Sequence, residues 1–256
     1  MTRWLKVSGA CLAVAVGVAA AAAGSKGGQE LTAREILERT ARVYAECASY
    51  RDTGRVVTTF HTIDGTATKG LSFSTAFVRP DRFRFEYRTA GSRAEAPAYV
   101  IWRRGDEVKS WWVLRPGVKV EKSLSMALAA ATGVSAGSAH AVPSLLMPTE
   151  VRGRRLSDLT KAVRKADEPV EGHACFVVEG KIPPPPPEVV KRLNLPRPYP
   201  AVPETVWIDQ TTYLVRKIER TLPAGRGDAV EVTTYEPALN PTVPESALAF
   251  NPPGKP

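Results

Sequence analysis

From Tyr50 onward, apolar and polar residues alternate with a period of two for about seventy residues, the signature of extended strands that turn one face inward. The pattern predicts a first strand over 50–63 around "VVTTF", closed by the hairpin dipeptide Asp64-Gly65. A second strand, "LSFSTAF", places Leu71, Phe73, Thr75 and Phe77 on one face and Ser72, Ser74, Ala76 and Val78 on the other. Arg79-Pro80-Asp81 ends it, because proline cannot donate to a ladder. "RFRFEYR", "YVIW" and "VKSWWV" supply the next three, the last after a turn at Arg104-Gly105-Asp106. Trp111 and Trp112, adjacent on one strand, must point to opposite faces. Strand signals return over 154–165 and in "CFVVEG", "TVWID", "YLVRKIERTL" and "VEVTTY".

Helical spacing is rarer. Thr32-Ala33-Arg34-Glu35 has the form of a capping box, and Ile36, Leu37, Val43, Tyr44 and Cys47 follow on one face of a helix ending near Ser49. "SLSMALAAATG" (Ser123 to Gly133) has a serine cap, alanine and leucine filling and a glycine stop. "AVPSLLMP" (Ala141 to Pro148) predicts a second short apolar helix or turn, and five consecutive prolines within Pro183 to Pro203 predict a stiff surface loop. About eleven strands joined mostly by short turns argue for a meander, not βαβ units. The expected fold is therefore mainly β: a curved antiparallel incomplete barrel with an N-terminal helix and short covering helices.

The rings of Phe83, Phe85 and Tyr87 share one face of the third strand, and Arg82, Arg84, Glu86 and Arg88 share the other, solvated one. Binders of single-stranded nucleic acid need rings and positive charge side by side, because a base stacks while its phosphate is neutralised. Here the two are opposed, so nucleic acid is not an expected partner. The rings face either a packed core, the usual place for large aromatics at strand spacing, or an apolar ligand, since so wide a one-faced sheet offers more apolar surface than one amphipathic helix and two short ones fill tightly.

Composition adds location. Arg3 and Lys6 precede an uncharged run, Val7 to Ala23, with small residues at its end. This reads as a secretory signal peptide over 1–23, with an uncleaved anchor as the alternative, followed by a flexible leader over 24–30. A single domain over 31–256 is expected. The net charge of +9 favours anionic partners such as membrane surfaces. Export makes a disulfide between Cys47 and Cys175 the expectation, worth roughly 4 to 5 kcal/mol in the chain-entropy model, against the alternative of two buried thiols. His61, His140 and His173 are scattered and give no metal-ligand spacing, and no cofactor is implied. Gly133-Val134-Ser135-Ala136-Gly137 matches a nucleophile elbow, with Asp158 or Asp167 and then His173 downstream. That motif needs a strand before the serine, and here a helix precedes it, so an enzyme is not expected.

"VRPDRFRFEY", then "YVIWRRGDEVKSWWVLRPG", and a terminal "LAFNPP" carry a resemblance. Together with the opening "ILERTARVYAECASYRDTGRV" they are similar to the LolA-type periplasmic lipoprotein carriers, at both ends of the chain more than in its middle. The resemblance implies a half-barrel whose concave face binds acyl chains of lipids or lipoproteins beneath a helical lid. Arg79 matches the arginine that holds the lid. The implied cleft lining is Phe73, Phe77, Phe83, Phe85, Tyr87, Trp102 and Trp112 on the sheet, with Leu128, Leu145 and Leu146 from the lid helices. It further implies a periplasmic monomer, with membrane-surface proteins as possible partners. A lipid-sensing regulatory or scaffold module of the same fold is the alternative, and an esterase using Ser135 a more distant one. Cys47, Cys175, the proline-rich insert and "GVSAGSAHAVPSLLMP" depart from the carrier pattern.

Overall fold

The structure, a computed structural model, describes residues 30–63, 65–89, 97–192, 200–224 and 227–252. The expected signal peptide and nearly all of the leader lie outside the described residues. Leu31 onward groups as one compact unit.

Helix α1 (Ala33–Glu46) opens it, with the capping box in place: Thr32 accepts from the Glu35 amide, and the Glu35 carboxylate accepts from the Thr32 amide at 2.8 Å. Ten strands follow the expected meander, and an eleventh was not legible. They are β1 (Ser49–Thr62), β2 (Gly65–Val78), β3 (Arg82–Thr89), β4 (Tyr99–Arg104), β5 (Glu107–Trp112), β6 (Arg115–Val120), β7 (Thr160–Val170), β8 (His173–Ile182), β9 (Val202–Asp209), β10 (Val215–Ala224) and β11 (Gly227–Leu239). All lie in one antiparallel, curved and open sheet of order β6-β5-β4-β3-β2-β1-β11-β10-β9-β8-β7. Every neighbour in that order is a sequence neighbour except β1 and β11, which zip together from Tyr50↔Leu239 to His61↔Asp228. The first and last strands thus form the middle of the sheet, and β6 and β7 are its edges.

Three differences from the sequence reading have local causes. Strand β6 contains Pro116 and Gly117 and exposes every residue, so no alternation marks it. The strand expected over 154–165 starts only at Thr160, because a 3-10 turn over Leu156–Asp158 comes first. The proline run gives way to a short helix, α4 (Pro187–Arg192), since proline suits a first helical position.

The helices α1, α2 (Leu124–Thr132) and α3 (Ser138–Leu146) pack on one face of the sheet in a single apolar cluster. Phe83 and Phe85 are wholly buried there and Tyr87 nearly so; each ring removed from water contributes about 1.5–3 kcal/mol. The opposite face of β3 is less solvated than its charges suggest. Glu86 is buried between Arg84 at 2.5 Å and Arg88 at 2.7 Å. The C-terminal segment lies across this back face, where Glu245 pairs with Arg82 and the Leu248 carbonyl accepts from the Trp102 indole at 2.7 Å.

The expected disulfide is absent. Cys47 and Cys175 are both buried and free. Cys47 sits at the end of α1 in the main core, whereas Cys175 belongs to a separate cluster with Val177 and Trp207. Alternation along β8 explains this: Phe176 and Val178 take the helix-covered face, so Cys175 takes the other.

Gly54 shows how tightly the covered face is packed, because a Cβ there would overlap the Phe73 ring and the Thr234 carbonyl. Gly54→Ala is expected to lower unfolding stability by about 1–3 kcal/mol. Gly133→Ala, which meets nothing within 4 Å, is expected to be neutral or stabilising by up to about 1 kcal/mol. Urea denaturation of the two variants checks the contrast; equal midpoints would remove the packing argument.

Candidate functional site

The register of β1 to β5 builds an aromatic wall. Across β2 and β3, Phe77 opposes Phe83 and Phe73 opposes Tyr87; across β4 and β5, Tyr99 opposes Trp112. The rings touch in series: Phe73 with Tyr235 at 5.4 Å and Phe85 at 6.1 Å, Tyr87 with Tyr99 at 6.1 Å, and Tyr99 with Trp112 at 6.0 Å. The glycine at 54 lets the Phe73 ring reach across β1 towards Tyr235.

Facing this wall are α2 and α3, whose segments "LSMALAAAT" and "SAHAVPSLL" contain no Asp, Glu, Lys or Arg. Ser123 caps α2 by accepting from the Met126 amide at 3.3 Å. Leu128, Leu145 and Leu146 are buried against the wall, and Ala127, Ala131, Ala139 and Ala141 keep the approach close. Of the expected cleft residues, Phe73, Phe77, Phe83, Phe85, Tyr87, Leu128, Leu145 and Leu146 lie together in one cluster, with Trp112 packed against it. Trp102 does not join them. It pairs across strands with Arg84, so its ring lies on the back face, 5.7 Å from Phe250 and beneath the Lys109 ammonium. Its parity with Val100, not Ile101, was the sign in the sequence.

Arg79 follows β2 and joins two helix ends. Its Nε donates to the Cys47 carbonyl at 2.7 Å, and one Nη donates to the carbonyls of Tyr44 at 3.2 Å and Leu146 at 2.8 Å. Carbonyls at helix C-termini lack intrahelical donors and carry partial negative charge, so one planar cation satisfies both ends at once. The Phe77 ring lies 5.1 Å from the guanidinium carbon.

The other half of the covered face is polar, a feature the sequence reading missed. Glu204 on β9, Arg220 on β10 and Glu231 on β11 stand in one cross-strand row. Each is a charged residue at the inward parity of its strand, alongside Val206, Ile218 and Thr233, and that was the available signal. Arg220 bonds Glu204 closely through Nε, while Glu231 stands 3.6 Å from the guanidinium. Burial outweighs this weaker attraction and raises the Glu231 carboxyl to about 7. Above the row sits Gly137, between α2 and α3, with a φ of 77° that favours glycine, in contact with the end of the Arg220 side chain. A second buried carboxyl, Asp52, accepts from the Tyr50 hydroxyl at 2.9 Å and the Thr75 amide at 2.8 Å, yet desolvation raises it to about 6.

Ser135 lies in the same helix-to-helix connection, fully buried, with its Oγ accepting from the Ala139 amide at 3.2 Å. It follows a helix, so the strand-to-helix elbow of hydrolases is not formed. Outside the covered face, a groove of about 250 Å³ runs between α1 and α3, lined by Ala41, Arg42, Ala45, Ser144, Leu145, Pro148, Arg155 and Ser157. Among the described residues no helix is long and apolar enough to cross a membrane, and no group of His, Cys, Asp and Glu is arranged to hold a metal ion.

No protein-family model matches the chain, and neither does any curated protein. Solved structures do resemble it. The lipoprotein LppX of Mycobacterium tuberculosis is 16% identical, with 83% of this chain and 97% of that one covered at a TM-score of 0.44. A putative outer membrane lipoprotein-sorting protein domain from Vibrio parahaemolyticus is 12% identical over 84% and 95%, at 0.36. A LolA superfamily protein from Nitrosomonas europaea is 11% identical over 86% and 99%, at 0.33.

The raised carboxyl of Glu231 has a definite pH signature. A folded value of about 7 against an ordinary 4.5 means the protonated form is favoured by folding. That contribution is fully present below pH 4.5 and is lost as pH rises through 7. Glu231→Gln is expected to flatten the fall of stability across this window, leaving the smaller share due to Asp52. Thermal or urea unfolding from pH 4.5 to 8 checks it; an unchanged slope would mean Glu231 is ionised throughout.

Proposed function

We propose that this chain is an exported, non-enzymatic binding protein for the acyl chains of lipids or lipoproteins, which lodge between the aromatic wall and the α2–α3 cover. One observation carries the reading: two helices without a charged side chain lie across a curved aromatic wall, and α3 is tied at its end by the Arg79 bond to the Leu146 carbonyl. Residues 31–256 act as one domain, and the protein works as a periplasmic monomer with no cofactor and no nucleic acid.

In the present arrangement Leu124, Leu128, Leu145 and Leu146 of the cover are buried in one cluster with the rings. A tail enters by displacing them, so guest and cover compete for the same apolar surface. Each methylene taken from water contributes about 0.8 kcal/mol without any polar contact, which makes selectivity for length and headgroup loose. Arg79 is the latch that fixes how far the cover opens.

The closed packing also favours a second reading, a sensor or scaffold that opens only when a lipidated partner arrives. Native purification followed by lipid extraction separates the two. A carrier yields acyl lipid in stoichiometric amount, whereas a sensor yields a stable protein complex and little lipid. Recovery of neither would sink both. For the latch, Arg79→Leu is expected to change the dissociation rate of a fluorescent fatty acid about tenfold or more, since each charge-assisted bond lost is worth about 1.5 kcal/mol or more. Identical rates would remove that role from Arg79.

A further inference from the structure

We propose that the β6 edge of the sheet is a docking surface for an anionic lipid bilayer, an inference that goes beyond the acyl-binding reading and does not depend on it. Most of the exposed large apolar side chains among the described residues lie in one stretch, from the turn joining β5 to β6 to the first turn of α2. They are Val113, Leu114, Val118, Val120 and Met126, with Leu114 72% and Val120 70% exposed. The concentration is unusual, because scattered surface apolar residues are ordinary and clustered ones mark contacts.

The arrangement favours a bilayer over other occupants. Val120 pairs with Lys109 on the back face, Met126 stands on α2 on the covered side, and Leu114 is at the turn. Apolar groups therefore surround the edge on both sides and at its tip. A strand added to β6 would bond its backbone and leave those side chains in water. A second copy would set like charges against each other, and Pro116 has no N–H to offer a partner strand. The charges that reach solvent here are Arg115, Lys119 and Lys122; the Glu121 carboxylate turns back to the Ser110 hydroxyl at 2.6 Å and the Lys119 ammonium at 2.8 Å. Neither Arg115 nor Lys122 forms an ion pair among the described residues. Apolar side chains with interspersed cations on long stems suit an interface in which tails lie below and phosphates above.

The test uses the full chain in a Cys11→Ser background, where the two remaining thiols are buried. An environment-sensitive fluorophore is attached at Leu114→Cys or, for comparison, at Val163→Cys on the far edge strand β7. Vesicles of phosphatidylglycerol are expected to shift the emission of the label at 114 to the blue and raise it several-fold, with no change at 163 and little effect from phosphatidylcholine. Adding Arg115→Gln and Lys122→Gln is expected to weaken the apparent affinity by about twenty-five-fold, about fivefold per cation lost. The proposal is overturned by no change at 114, an equal change at 163, equal response to both lipids, or indifference to the two charge substitutions. Fatty-acid binding by the same proteins is read separately, so failure at the edge and failure in the cleft are distinguishable.

Discussion

The constraint behind the whole architecture is a wide sheet with one apolar face and no closure. An up-and-down barrel hides its inner face by joining its last strand to its first. Here the first and last strands do join, but in the centre, so β6 and β7 remain as free edges and the wall stays open. Such a face must be covered by other elements. The amphipathic helix α1 covers part of it in the ordinary way, with its polar side in water. The aromatic part is covered by α2 and α3, which lack the charged side that would orient them against solvent. Their placement depends on shape and on a few polar ties, of which the Arg79 fork is one.

The covered face is divided along its width. Towards β3 to β5 it is aromatic; towards β9 to β11 it carries Glu204, Arg220 and Glu231 in a row. Buried charge is costly unless paired, and one guanidinium between two carboxylates pairs them unequally. Burial raises the Glu231 carboxyl, and its longer approach to the guanidinium offsets that only in part. Gly137 belongs to the same arrangement, since the connection between α2 and α3 turns there with a φ of 77°, a conformation that favours glycine, directly over the Arg220 guanidinium. The connection is thus seated on polar groups while the helices on either side of it are seated on rings.

Much of this was legible in the chain, for physical reasons that also mark where legibility ended. Period-two alternation located β1 to β5 and the inward rings of Phe83, Phe85 and Tyr87, because a side chain's face in a strand follows from parity alone. Caps located α1 and α2 for the same kind of reason: Thr32 and Ser123 satisfy free amides that any helix start leaves open. Strand β6 escaped because an exposed edge has no inward face to impose alternation. Trp102 enters the cleft set through the resemblance although its parity places it on the back, and Cys175 pairs with Cys47 by export alone although alternation sets them on different sides of the sheet. The Glu204 row needed only the same parity rule, applied to charges instead of rings.

A filled concavity does not by itself oppose a guest, because what matters is the difference between two ways of covering the same wall. The cover buries four leucines and four alanines in one cluster with the rings. Losing the burial of four leucines costs about 6–12 kcal/mol, and about ten methylenes of an acyl tail return about 8 kcal/mol. Under the acyl-binding proposal the exchange is near balance, and small changes at the ties then decide it. A cover built from larger side chains would hold too firmly to be displaced, and one with a charged inner face would not close. Alanine-rich helices without charge, on a wall too wide to fill with α1 alone, meet both conditions.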